Sequence, residues 1–529
     1  MRSGGFTTID AIIAFAYVFG IIGFGIYLYK KQKSTNDFLL AGRTMSWFPV
    51  GMSLLATLTS AIGYMAFPAG SYKYGIIMLW MAMAIPISYP VVVYIFIPFY
   101  HKLKVVTAYE YLERRFSTEV RALASAIFIL WRLTWMAAII YVPSMVLSVV
   151  TNGSIPLIPS IVVMGAVTTV TTALGGMKAT MWSNVVHSFV MFAGMIIAVI
   201  LVFTSIPGGV SEVWALLVAA GKTNLTANIV GFESAGFFEK IRLYLVTDVT
   251  IVSLIITYSV QKMGNYCVDQ AMVQTYLTGK SLAASRKGFL TNAYAYLLYI
   301  VLVTFIGFGL YAVASRLNFP SNLAIDNIFP YFIANVMPVG ITGLMVAAIY
   351  GASMSSLNSG INSSVAAILN DFYGRYTLKV YNLDAGEISE KEKARRLKIA
   401  RYSTLVLGTV VTIGACFVKE MGNIFDYSQK LINMFTGPLF GVFILAMFSK
   451  RATAPAALIA GFLGFVLGSL MVFAKKWGID SLAVGVLWPA AISFFATLIV
   501  GVFLSMFIGK NSRDALNYTW RKVMAREDQ

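Results

Sequence analysis

Charged residues make up only 12% of this 529-residue chain, and cysteine and histidine occur just twice each. So little charge excludes an ordinary soluble globule, because 58% hydrophobic residues leave too few polar side chains to cover a water-facing surface. Cys267 and Cys416 both fall in apolar runs, which excludes a disulfide framework and leaves them as small packing residues. With two histidines, no HExxH and no Walker A motif, an enzyme is not expected. A channel would need a pore repeat or rings of charge, and neither occurs. A sensor would usually append a soluble signalling domain, whereas the stretch after 508 is only about twenty residues long.

What is present is a succession of apolar runs. Those of about 20 residues predict an all-α polytopic membrane protein with about thirteen spans, at 8-29, 47-67, 75-100, 122-149, 156-175, 183-206, 244-266, 287-313, 340-370, 401-418, 424-447, 453-474 and 484-508. The net charge of +18 invites a nucleic-acid reading, but position decides against it. Lys30, Lys31, Lys33, Arg43, Lys102, Lys104, Arg114, Arg115 and Arg121 all fall in alternate connections, joined later by Arg375, Lys379 and the basic run from Lys391 to Arg401. That asymmetry places those connections in the cytoplasm, the N-terminus outside and the C-terminus inside a plasma or inner membrane. The first span lacks a basic n-region and a cleavage site, so it is expected to remain as an anchor. The run 375 to 401 mixes both signs and predicts a solvated amphipathic helix. Short surface helices are expected in 207 to 243 and in 314 to 338.

Spans two to six (47-206) and seven to eleven (244-447) form two groups of five, and an odd number makes the second group start from the opposite side, as in an inverted repeat. This divides the chain into 1-46, a first repeat 47-206, a connection 207-243, a second repeat 244-447 and two accessory spans with a tail in 448-529. Polar and glycine residues at Thr57 to Tyr64 and at Gln261 to Tyr266 predict a broken helix at the start of each half. Ala352, Ser355 and Ser356 stand at i, i+3 and i+4, so one carbonyl and two hydroxyls share a helix face. Such a face serves either close helix packing or a small hard cation that needs several oxygens. Arg132 and Lys262 lie within spans, at a cost of about 2.5 to 3.5 kcal/mol each on the lenient insertion scale. Neither has an evident carboxylate partner: Asp248 is some four turns from Lys262, and Asp269 is expected near the cytoplasmic mouth. Lys262 either meets a ligand or snorkels.

Five ordered blocks resemble the sodium:solute symporter family: Asn36 to Arg43, Gly51 to Ala61, Thr107 to Phe116, Gly175 to Trp182 and Asp269 to Tyr276. The resemblance implies a LeuT-type fold of two inverted five-helix repeats, with one helix before and two after them. It implies Na+ at the carbonyls of Ala56, Thr59 and Ala352 and the hydroxyls of Ser355 and Ser356. Sialic acid transporters of the family can hold a second sodium, at positions that correspond here to Asn184, Asn358 and Ser359. Asparagine offers an oxygen without charge, so this second site is doubtful. His187 is expected to be a hydrogen-bonded packing residue rather than a metal ligand.

By the same resemblance, Arg132 falls where those transporters bind a substrate carboxylate. Lys262 and Gly63 replace an asparagine and a glutamine that contact sugar in bacterial galactose relatives. The expectation is a sodium-coupled symporter, working by alternating access, for a carboxylate-bearing anion such as sialic acid or another sugar acid. Arg132 would act as a bidentate clamp, with Ser60, Gly63, Asn265 and Lys262 around it. The alternative is a neutral sugar, vitamin or amino acid. Its partners are then a small solute and the bilayer, with no nucleic acid.

Overall fold

The computed structural model describes residues 6–29, 40–377, 390–418 and 424–526. Lys30, Lys31, Lys33, Lys379 and the opening of the first motif, Asn36 to Leu39, lie outside them. Every apolar run falls on a helix, and among the described residues the only strand-like pairing is an isolated bridge between Met45 and Gly279. Hydrocarbon offers the backbone no partner, so each crossing segment must satisfy its own amides internally. Among the described residues six helices are long and apolar enough to cross a membrane, and shorter apolar helices lie at Thr8–Ile21, Trp47–Leu58, Leu157–Ala173, Gly209–Ala219 and Trp488–Leu504. The polarity is inverted relative to a soluble protein: Phe15, Phe19, Val163 and Ile499 are exposed, while Ser355, Ser356, Asn362 and Ser364 are buried.

The helices that position the site are α1 (Thr8–Tyr29), α2 (Trp47–Leu58), α3 (Ala61–Tyr74), α4 (Ala108–Arg115), α5 (Thr118–Val150), α6 (Leu157–Thr204), α7 (Tyr258–Val268), α8 (Gln270–Leu277), α9 (Leu282–Arg316), α10 (Ile325–Asn335), α11 (Ile341–Ala367), α12 (Glu390–Ala415) and α13 (Ile424–Phe448). α6 is 48 residues long, nominally about 72 Å, which exceeds twice the hydrocarbon thickness. Its two halves nonetheless meet the same turns of α11, because Ser160 bonds Tyr350 at 2.9 Å while Gly194 lies against Met345 and Ala348. The run therefore doubles back, which reconciles one helical stretch with the two spans expected there.

α11 is central and packs against α1, α2, α5 and α6. Its N-terminus is capped from another helix: Asp10 of α1 accepts from the Gly340 and Gly343 amides at 2.7 and 2.9 Å. A Cβ at Gly343 would meet the Asp10 carbonyl at 2.4 Å, so this approach needs glycine. The surface helices expected in 207 to 243 and 314 to 338 are present as Gly209–Ala219, Phe237–Val246 and α10.

On the face rich in Lys and Arg, the turn following α11 is tied to α4 and α5. Asp371, fully buried, accepts from Arg121 Nε and Nη2 at 2.8 and 2.6 Å, from Thr107 at 2.7 Å and from Ser125 at 2.5 Å. Arg121 also pairs with Glu113 at 2.7 Å. Of the amphipathic run 375 to 401, Arg375 lies in this turn and α12 begins at Glu390.

Candidate functional site

The expected interruption in the first repeat lies between α2 and α3. Thr59 (φ −98°, ψ 76°) and Ser60 (ψ 176°) leave helical geometry, and so the carbonyls of Ala56 and Thr57 lose their i+4 donors. Across the gap stand the α11 serines. Ser355 and Ser356 each donate to the Ala56 carbonyl at 3.0 Å; Ser356 also reaches the Thr57 carbonyl at 3.2 Å and Ser355 the Ala352 carbonyl at 2.8 Å. Ala56, Thr59, Ala352, Ser355 and Ser356 are all buried. The structure thus brings the oxygens of Ala56, Ala352, Ser355 and Ser356 together and puts Thr59 at the break beside them. No group of three His, Cys, Asp or Glu that could hold a metal occurs among the described residues. Neutral oxygens suit a hard monovalent ion rather than a transition metal.

Of the residues of the doubtful second site, Asn184 and Ser359 meet and Asn358 does not join them. Asn184 donates to Ser53 at 2.8 Å and to Ser359 at 3.4 Å, and Thr57 donates to Ser359 at 3.0 Å. Asn358 instead bonds Thr172. Asn184 Oδ1 is buried there without a hydrogen-bond partner. His187 bonds Tyr17 of α1, consistent with a packing role.

The second expected interruption needs correction. Gln261 to Tyr266 are continuous helix, and the break comes later, at Asp269 (φ −71°, ψ 119°), between α7 and α8. The carbonyls freed there, of Cys267 and Val268, accept from Tyr100 at 3.0 Å and Tyr109 at 3.1 Å. Gln261 turns its amide to Gln429 and Asn433 of α13 at 2.8 and 2.7 Å rather than opening the helix.

Gly63, Arg132, Lys262 and Asn265 do line one cavity, together with Asp269, Phe67, Trp135, Phe425 and Gln429. Its volume is about 40 Å³, room for a few waters at most, so a solute must part its walls. Ser60 does not line it, although its hydroxyl is buried without a hydrogen-bond partner, as are Asn265 Oδ1, Arg132 Nε and Trp131 Nε1. At Gly63 a Cβ would lie 2.5 Å from the Tyr299 hydroxyl, so the glycine makes room for that tyrosine. Arg132 is corrected as well. Asp269 is not at a mouth but fully buried, and it forms an ion pair with Arg132. Lys262 does not snorkel: it is 5% exposed, and its ammonium sits 4.3 Å from the centre of the Tyr296 ring and 5.2 Å from that of Tyr258. No carboxylate of the described residues lies within ion-pair range of it.

Asp269, as the partner of Arg132, and the tyrosine pair, as the partners of Lys262, are the contacts that sequence reasoning missed. The signal for Asp269 was available: an aspartate just past an apolar run and ahead of helix-forming residues reads as an N-cap, and Asp269 Oδ1 does accept from the Ala271 amide at 2.9 Å. Nothing in the spacing announces Tyr296, which arrives from α9.

The profile of the sodium:solute symporter family matches residues 38–464. The sodium/sialic acid symporter SiaT of Proteus mirabilis is 28% identical over 490 residues, covering 91% of this chain and 92% of that protein. The sodium-dependent multivitamin transporter of the rabbit, Oryctolagus cuniculus, is 27% identical over 483 residues, covering 88% of this chain and 70% of that one. A solved substrate-bound, outward-open sodium-coupled sialic acid symporter superposes with a TM-score of 0.82 at 26% identity, over 96% of this chain and 99% of the other.

Proposed function

The chain belongs to the sodium:solute symporter family, and from that premise we propose that its solute is an organic monoanion, a sialic acid or another carboxylate-bearing sugar acid. Sodium is the coupling ion and the protein is a multi-pass membrane symporter, not an enzyme. One observation carries the choice of solute: the cavity wall holds two cations, Arg132 and Lys262, and one carboxylate, Asp269. One positive charge is left over in a water-poor interior, where a solute carboxylate is its natural match. A neutral solute would suit the internally paired Arg132 but leave Lys262 unmatched. The names of the bacterial relatives point the same way.

The ion is coordinated in this reading by the carbonyls of Ala56, Thr59 and Ala352 and the hydroxyls of Ser355 and Ser356, with one sodium per cycle. Gly63, Arg132, Lys262 and Asn265 surround the solute, with Ser60 behind them at the break. Residues 47-206 and 244-447 act as the two repeats, and 1-46, 207-243 and 448-529 as the flanking and connecting parts. The basic face is cytoplasmic and the N-terminus external. Thermal unfolding of the purified protein, with and without sodium, against sialic and other sugar acids, monocarboxylates, neutral sugars, vitamins and amino acids tests this. Sodium-dependent stabilisation by acids is expected; stabilisation by neutral solutes alone overturns the anion reading.

A further inference from the structure

Asp269 does two things with its two oxygens. Oδ1 caps α8 through the Ala271 amide at 2.9 Å, and Oδ2 pairs with Arg132. The cap fixes the carboxylate, and its complete burial leaves it no water to fall back on. A solute carboxylate could claim Arg132 only by displacing Asp269, which would strand a buried negative charge beside the incoming one.

Lys262 is in the opposite situation. It has no anion within reach among the described residues, and its ammonium rests on the faces of Tyr296 and Tyr258, whose hydroxyls bond each other at 2.6 Å. Aromatic faces stabilise a cation without discharging it. Asn265, one turn along α7, adds an unpartnered oxygen that can take a solute hydroxyl or amide.

We infer that Asp269 sets the charge specificity of the cavity: by neutralising Arg132 internally it makes Lys262 the counter-ion of the solute carboxylate. The inference rests on the anion reading above. It makes Arg132 a positioning residue that holds the α7–α8 break against α5, and it limits the solute to a single negative charge.

The experiment uses the full chain, with N-acetylneuraminate as probe beside a panel of monocarboxylates, dicarboxylates and neutral sugars. Stabilisation is read with sodium, and the shift caused by sodium alone reports that each variant is folded. Lys262→Met leaves the cavity neutral and should weaken anion binding about ten-fold or more. Lys262→Met combined with Asp269→Asn frees Arg132, returns the net charge to +1 and should recover anion binding, since asparagine preserves the cap. Asp269→Asn alone should admit dicarboxylates. If Lys262→Met binds acids as the wild type does, or if the double variant stays inactive, the assignment to Asp269 and Lys262 is overturned while the anion reading stands. If the wild type responds only to neutral sugars, or to no member of the panel, both fall. Should the Asp269 variants fail to fold, Lys262→Arg decides: retained charge must retain acid binding, and its loss there overturns the counter-ion role.

Discussion

At the scale of single residues, Ser355 and Ser356 are alike in sequence and unlike in duty. The Ala56 carbonyl has both as donors, whereas the Thr57 carbonyl has only Ser356. A buried carbonyl left without a donor costs about 1 to 3 kcal/mol. Ser356→Ala should therefore lower stability by about that amount, whereas Ser355→Ala should lower it much less. Both should raise the sodium concentration needed for half-maximal stabilisation, because each loses a coordinating oxygen. Sodium titrations of the melting temperature separate the two effects, and unchanged sodium response in both variants removes the assignment. These serines were legible because i, i+3 and i+4 on an apolar helix is a pattern of one element. Arg132 was legible as a buried cation but not as a paired one, because its partner lies 137 residues away and pairing is a fact about packing.

At the scale of elements, the break between α2 and α3 could be read because Thr59 and Ser60 interrupt an apolar run with residues that prefer non-helical backbone. The break after α7 was misplaced by about one turn because Gln261, Lys262 and Asn265 are polar for other reasons, facing α13 and the cavity. The tie from Asp371 to Arg121, Thr107 and Ser125 joins the end of the serine-bearing α11 to α4 and α5. Breaking a buried ion pair from one side costs about 3 to 5 kcal/mol. Asp371→Asn should lower unfolding stability by less than that, because Arg121 keeps Glu113 as its partner, and should leave the sodium midpoint near its wild-type value. A melting temperature unchanged by Asp371→Asn would show that this tie is not structural.

At the scale of the whole molecule, charge bookkeeping sets how the cycle responds to voltage. Asn184 brings no charge to the corner shared with Ser53 and Ser359, so there is one proposed cation site and one net positive cavity. One sodium with one monoanion moves no net charge, so only the sodium gradient drives accumulation. A neutral solute with one sodium would instead gain about 2.3 kcal/mol per 100 mV, roughly a fifty-fold accumulation. Uptake into proteoliposomes at fixed sodium should be nearly indifferent to an imposed potassium diffusion potential; strong stimulation by inside-negative voltage would overturn the one-to-one reading. The all-helical, LeuT-like architecture was legible from hydropathy and ordered motifs, and so was the reversal within α6, because two apolar runs, 156-175 and 183-206, meet there at Gly175 and Gly176. The serine hydroxyls that bond the freed carbonyls carry a final consequence for turnover. With an ion at the proposed site, its release would leave the Ala56 and Thr57 carbonyls the serine hydroxyls as donors, so no buried acceptor is stranded between cycles.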